Sequence, residues 1–104
     1  MPFRRVIVPT DTWKNFERWV CKQFGGVRTW QGEEGADCQN TSPFAVQCKY
    51  GSQVPKKLEK YMQQAEADAP PGELPVVVMK RVGMGNDESY VMMRFKEFKE
   101  WYIG

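Results

Sequence analysis

The stretch Ala36-Asp37-Cys38-Gln39-Asn40-Thr41-Ser42-Pro43-Phe44-Ala45-Val46-Gln47-Cys48-Lys49-Tyr50 decides how the chain is read. Asn40-Thr41-Ser42-Pro43 has the residue types of a hairpin-like turn, so residues 36–39 and 44–50 are expected to be two paired strands. Side chains alternate along a strand, which puts Phe44, Val46 and Cys48 on one face and Ala45, Gln47 and Lys49 on the other. The first face is core. The second presents a carboxamide and an ammonium two residues apart, with Asp37 within reach across the turn. A wet face of an antiparallel sheet would explain Gln47 and Lys49 taken singly, and that explanation weakens once helices must cover the sheet.

Upstream, Asp11 or Thr12 can cap a helix running to about residue 24, where Gly25-Gly26 stops it. At about 100° per residue, Trp13, Phe16, Val20 and Phe24 form one apolar stripe, while Lys14, Arg18 and Lys22 point away from it. Glu17 falls about 40° from Trp13, at the margin of that stripe. There it reaches water, pairs with a neighbouring Arg, or faces a cation if other polar groups converge on it. Gln31-Gly32-Glu33-Glu34-Gly35 is turn-rich. Downstream, Pro55 suits the first turn of a second helix reaching about residue 67, which Pro70-Pro71-Gly72 ends. Residues 74–80, with Val76-Val77-Val78, read as a strand buried on both faces. A turn at 83–87 and a strand at 89–94 follow, and a short amphipathic helix through Phe95, Phe98 and Trp101 closes the chain. The order αββαββα predicts an α/β fold with a central mixed β-sheet flanked by helices.

With 104 residues, 41% of them hydrophobic, the chain has material for one core, and a single domain over residues 1–104 is expected. No apolar run approaches the ~20 residues that span a bilayer, and residues 1–9 have too short an apolar centre for a secretory signal. A cytoplasmic protein with no membrane partner is the expectation. The sequence contains no histidine, which excludes Ser-His-Asp triads, Cys-His proteases and His-ligated metal sites. Cys21, Cys38 and Cys48 are odd in number and form no C-x-x-C pair. Neither a disulfide framework nor a four-thiolate zinc site is indicated, and reduced thiols are expected. The formal charge of +2 is low for a dedicated nucleic-acid coat.

A helical Glu, an Asp at the start of a hairpin, an acid-x-Lys position on the next strand, occupied here by Gln47-Cys48-Lys49, and then a helix resemble the PD-(D/E)xK nuclease superfamily. Within it the chain is most similar to small phage and archaeal Holliday-junction resolvases and the related VRR-NUC nucleases. The likeness is carried by Phe16-Glu17-Arg18-Trp19-Val20, Phe24-Gly25-Gly26-Val27-Arg28-Thr29, Asp37 after Gly35-Ala36, Val46-Gln47-Cys48-Lys49-Tyr50 and Pro75-Val76-Val77-Val78-Met79. It implies a restriction-endonuclease-like core and a catalytic set of Glu17, Asp37, Gln47 and Lys49. Glu17, Asp37 and Gln47 would be ligands for Mg²⁺ or Mn²⁺, and Lys49 would orient the attacking water or stabilise charge on the phosphate. Gln47 departs from the family pattern, where Glu or Asp usually stands. Its carbonyl oxygen still suits a hard cation but brings no charge, so weaker metal affinity before substrate binds is expected.

Beside such a site, Lys56, Lys57, Lys60 and Gln64 on the second helix, with Arg28, Ser52 and Gln53 on loops, form an expected DNA-backbone surface. Nothing in that set reads bases, so branched DNA recognised by shape is the expected partner. The resemblance also implies a homodimer, since a junction has two strands to cut, and Trp19 lies outside the first helix's stripe as an interface residue would. A catalytically weakened or inactive nuclease fold, serving as a DNA-binding or interaction module, is the alternative that Gln47 raises.

Overall fold

The computed structural model describes residues 9–30 and 35–104, with residues 9–11 described by backbone alone. The start of the chain and the turn-rich residues 31–34 lie outside the described residues. The chain packs as two compact units, Met1–Val54 and Pro55–Gly104.

The first unit is built on helix α1, Pro9–Gln23. Proline suits a first helical turn because the amide it lacks would have no partner there. Val20 and Cys21 are buried, and Phe24 packs its ring against Phe44 at 5.4 Å. The helix ends as the glycine pair predicts. Gly25 takes φ +81, its N–H donates to the Lys22 carbonyl at 3.0 Å, and the Gly26 N–H donates to the Cys21 carbonyl at 2.9 Å. These are the two bonds of a Schellman cap. A Cβ at Gly26 would fall on the Gln39 carbonyl oxygen and lie 2.6 Å from Thr41 Cγ2. Gly26→Ala is therefore expected to cost about 2–3 kcal/mol, because backbone must move to admit it. Urea unfolding checks this, and an undiminished midpoint would contradict the close approach.

From this exit the chain enters β1, Val27–Arg28, antiparallel to β2, Cys38–Gln39, with Val27 opposite Gln39 and Arg28 opposite Cys38. The Thr29 N–H donates to the Asp37 carbonyl at 2.9 Å and the Thr29 hydroxyl to the Ala36 carbonyl at 2.7 Å, prolonging the contact. The pairing thus differs from the expected 36–39 with 44–50. Residues 44–50 form no regular strand. The Asp37 N–H does donate to the Val46 carbonyl at 2.8 Å, but two residues on the Cys48 N–H donates to the Asp37 carboxylate, Oδ2, at 2.6 Å. A side chain takes the amide that a ladder carbonyl would have taken, and regular pairing stops. The alternation survives, with Val46 buried, Phe44 and Cys48 half-buried and Ala45, Gln47 and Lys49 exposed.

Cys21 and Cys38 are joined by a disulfide, which corrects the expectation of three reduced thiols; only Cys48 is free. The physical reason is tertiary. The last turns of α1 lie against β2 and bring the two Cα atoms to 5.3 Å, a separation that spacing along the chain cannot reveal. The cytoplasmic expectation loses the support it drew from reduced cysteines.

In the second unit α2, Lys57–Asp68, buries Met62 and leaves Tyr61 exposed. Strands β3, Val77–Met79, and β4, Tyr90–Met92, pair antiparallel through Val77–Met92, Val78–Val91 and Met79–Tyr90. Burial of residues 74–80 on both faces is not found: Val78 is 65% exposed and Val76 is exposed beside it. A two-stranded ribbon has one face to lay on α2, and a run of valines does not reveal whether one face or both are covered. The chain closes with α3, Phe95–Phe98, and a wider turn, Lys99–Ile103, in which Phe98 stacks on Tyr102 at 5.1 Å. Arg94, at the start of α3, grips Glu59 with two nitrogens at 2.7 and 3.1 Å and Glu66 with two at 2.9 and 3.1 Å. These bonds hold the Glu59 and Glu66 carboxyls below the ordinary glutamate range. Their contribution is present above pH 4.5 and lost as pH falls and the two groups take up protons.

The elements follow the order αββαββα. Among the described residues the ladders are two separate antiparallel pairs rather than one mixed sheet, and the restriction-endonuclease-like core remains an expectation. No helix of the described residues is long and apolar enough to cross a membrane.

Candidate functional site

A cleft of about 440 Å³ opens in the first unit, lined by Trp13, Glu17, Asp37, Gln47, Cys48, Lys49, Tyr50 and Gln53. All four residues of the expected catalytic set are on its wall. Three separate segments deliver them. Glu17 comes from α1, one turn before Cys21; Asp37 directly precedes Cys38 at the start of β2; Gln47 and Lys49 alternate outward from residues 44–50.

Each carboxylate has a fixed anchor. Asp37 is held through Oδ2 by the Cys48 amide, and no described residue bonds Oδ1. Glu17 accepts the Arg28 Nε–H through Oε1 at 2.7 Å, with the two side chains only 14% and 18% exposed. The Arg28 guanidinium in turn lies 5.3 Å from the centre of the Trp13 ring, which also carries Lys14 at 5.7 Å. Of the options open to Glu17 from sequence, pairing with an arginine is the one realised. A carboxylate this buried requires such a partner.

Cys48 reports on the same space. Its burial, followed by the nearby charges of Asp37 and then Glu17, pushes the thiol up to about 11. Iodoacetamide should therefore label one cysteine per native oxidised chain, slowly at pH 8, with a rate that climbs as pH approaches 11. A midpoint near the ordinary thiol value would mean that the thiol is neither buried nor faced by the carboxylates as described.

Among the described residues no three His, Cys, Asp or Glu side chains converge as a ready ligand cluster. The cleft wall carries the oxygens of two carboxylates and of the Gln47 carboxamide, beside the Cys48 thiol. The oxygen donors suit Mg²⁺ or Mn²⁺. Lys49 adds a cation beside them, and Trp13 and Tyr50 add aromatic walls.

The expected DNA contacts divide between the two units. Arg28 is occupied by Glu17, Gln53 lines the cleft and accepts the Tyr50 N–H at 3.3 Å, and Ser52 is exposed in the turn Gly51–Gln53. Lys56, Lys57, Lys60 and Gln64 are exposed and belong to the second unit. Sequence reasoning missed Trp13 and Tyr50 as lining residues; the spacing of Trp13 four residues before Glu17, on one helical face, was the available signal. Compared with known protein families, curated proteins and solved structures, the chain matches none.

Proposed function

We propose that the chain is a metal-dependent endodeoxyribonuclease of the PD-(D/E)xK kind, built on a restriction-endonuclease-like core and cutting branched DNA in the manner of Holliday-junction resolvases. The observation that carries this is the convergence of Glu17, Asp37, Gln47 and Lys49 from three segments on one cleft. Mg²⁺ or Mn²⁺ bound there would neutralise charge on a phosphodiester and make water a usable nucleophile near neutral pH. Asp37 is the principal anionic ligand, since the Cys48 amide fixes one oxygen and leaves the other for the cation. Glu17 is the second, and Gln47 contributes its carbonyl oxygen. Lys49 orients the incoming water or offsets charge building on the phosphate oxygens. Ser52 and Gln53 in the first unit, and separately the lysines of α2 in the second, would contact backbone phosphates, and two copies acting together would cut the two strands of a junction.

A panel of four-way junctions, flaps, forks and linear duplex, incubated with Mg²⁺ and separately with a chelator, tests the proposal. Cation-dependent cleavage with preference for a branched substrate is expected, weakening steeply as salt rises. Absence of cleavage across the panel, with DNA still bound, would turn the assignment to the second reading, a DNA-binding module on a nuclease fold. The uncharged Gln47 and the pairing of Glu17 with Arg28 favour that alternative.

A further inference from the structure

Glu17 is offered to the cleft already neutralised. The Arg28 Nε lies 2.7 Å from its Oε1, with both side chains more than four-fifths buried, so one of the two oxygens a divalent cation could use is already engaged by a cation. A guanidinium and a divalent ion cannot share one carboxylate cheaply, because their mutual repulsion is little screened in a partly buried site.

Two features make an exchange feasible without loss of the fold. The Trp13 ring already lies 5.3 Å from the guanidinium while the ion pair is closed, so part of what holds Arg28 is a cation–π contact that does not depend on the carboxylate. The helix that carries Glu17 is also tied to the ladder twice, one helical turn apart. The first tie is ionic, from Glu17 to Arg28. The second is covalent, from Cys21 to Cys38, and Cys38 is the cross-strand partner of Arg28. Opening the ionic tie leaves the covalent one in place.

We propose that Arg28 is the resident counter-cation of Glu17, a positioning residue that competes with the divalent ion for that carboxylate and sets its affinity. This rests on the cation reading of the cleft given above. When a phosphodiester enters, its negative charge gives the displaced guanidinium a new partner, so divalent ion and polyanion favour each other's binding.

Titrating Mn²⁺ calorimetrically into the oxidised full chain, without DNA, tests the exchange. Arg28→Gln should bind Mn²⁺ on the order of tenfold more tightly than the parent. Arg28→Lys, which keeps the charge but not the planar fork, should fall between them and decides the matter if the glutamine variant does not fold. Equal or weaker binding by the folded variants overturns the role of Arg28 and leaves the cleft a cation site. No Mn²⁺ binding by parent or variants overturns the cation reading, and the role of Arg28 with it.

Discussion

Asp37→Asn is expected to lower divalent-cation affinity and cation-dependent cleavage at least about a hundredfold while leaving the thermal midpoint nearly unchanged. The asymmetry follows from what each carboxylate oxygen does. Oδ2 accepts the Cys48 amide hydrogen at 2.6 Å, a bond that an asparagine carbonyl oxygen reproduces in the same position. The amide nitrogen then replaces Oδ1, turning an anionic acceptor into a neutral donor aimed where a cation would sit. Asp37→Ala makes the opposite comparison, because it also strips the Cys48 N–H of its partner and should cost about 1–3 kcal/mol of stability. Cleavage assays, Mn²⁺ titration and thermal melts on both variants separate the chemical role from the structural one. Full activity in Asp37→Asn would remove Asp37 from the chemistry.

Much of this site could be read in the amino-acid order, and the part that could not has a common cause. Period-two alternation from Phe44 to Lys49 signals which side chains turn outward, and that pattern persists although the ladder behind it does not form. Local side-chain chemistry survives a change of pairing partner. The stop at Gly25-Gly26 was equally legible, since a left-handed residue closing a helix is a short-range property. The identity of the strand beside β2 was not. It depends on Asp37 capturing the Cys48 amide, and a carboxylate that doubles as a backbone partner looks in sequence like any other Asp. The same holds for Arg28, whose place on Glu17 depends on α1 packing against β1, and for the valine run at 76–78, where nothing local tells a covered face from a bare one.

Reduction of the Cys21–Cys38 disulfide should have the largest effect on the first unit's stability. The bond closes a loop between residues 17 positions apart, and a loop of that length removes denatured-state freedom worth about 3 kcal/mol. Few other buried groups hold this unit together. Among its described residues, Val20, Thr41 and Val46 are the buried side chains outside the disulfide. For a chain this size about 3 kcal/mol is a large part of the total, and the expected fall in thermal midpoint is at least about 10 °C. A functional loss should accompany it. Glu17 stands one turn from Cys21 and Asp37 stands beside Cys38, so the bond sets the spacing between the two carboxylates that would share a cation. Cys21→Ser with Cys38→Ser, and the parent under dithiothreitol, should both lose Mn²⁺ affinity at temperatures where the backbone remains folded by circular dichroism. Reduced protein that melts and binds like the oxidised form would show that packing and the Glu17–Arg28 pair suffice to hold α1 on the β1–β2 ladder.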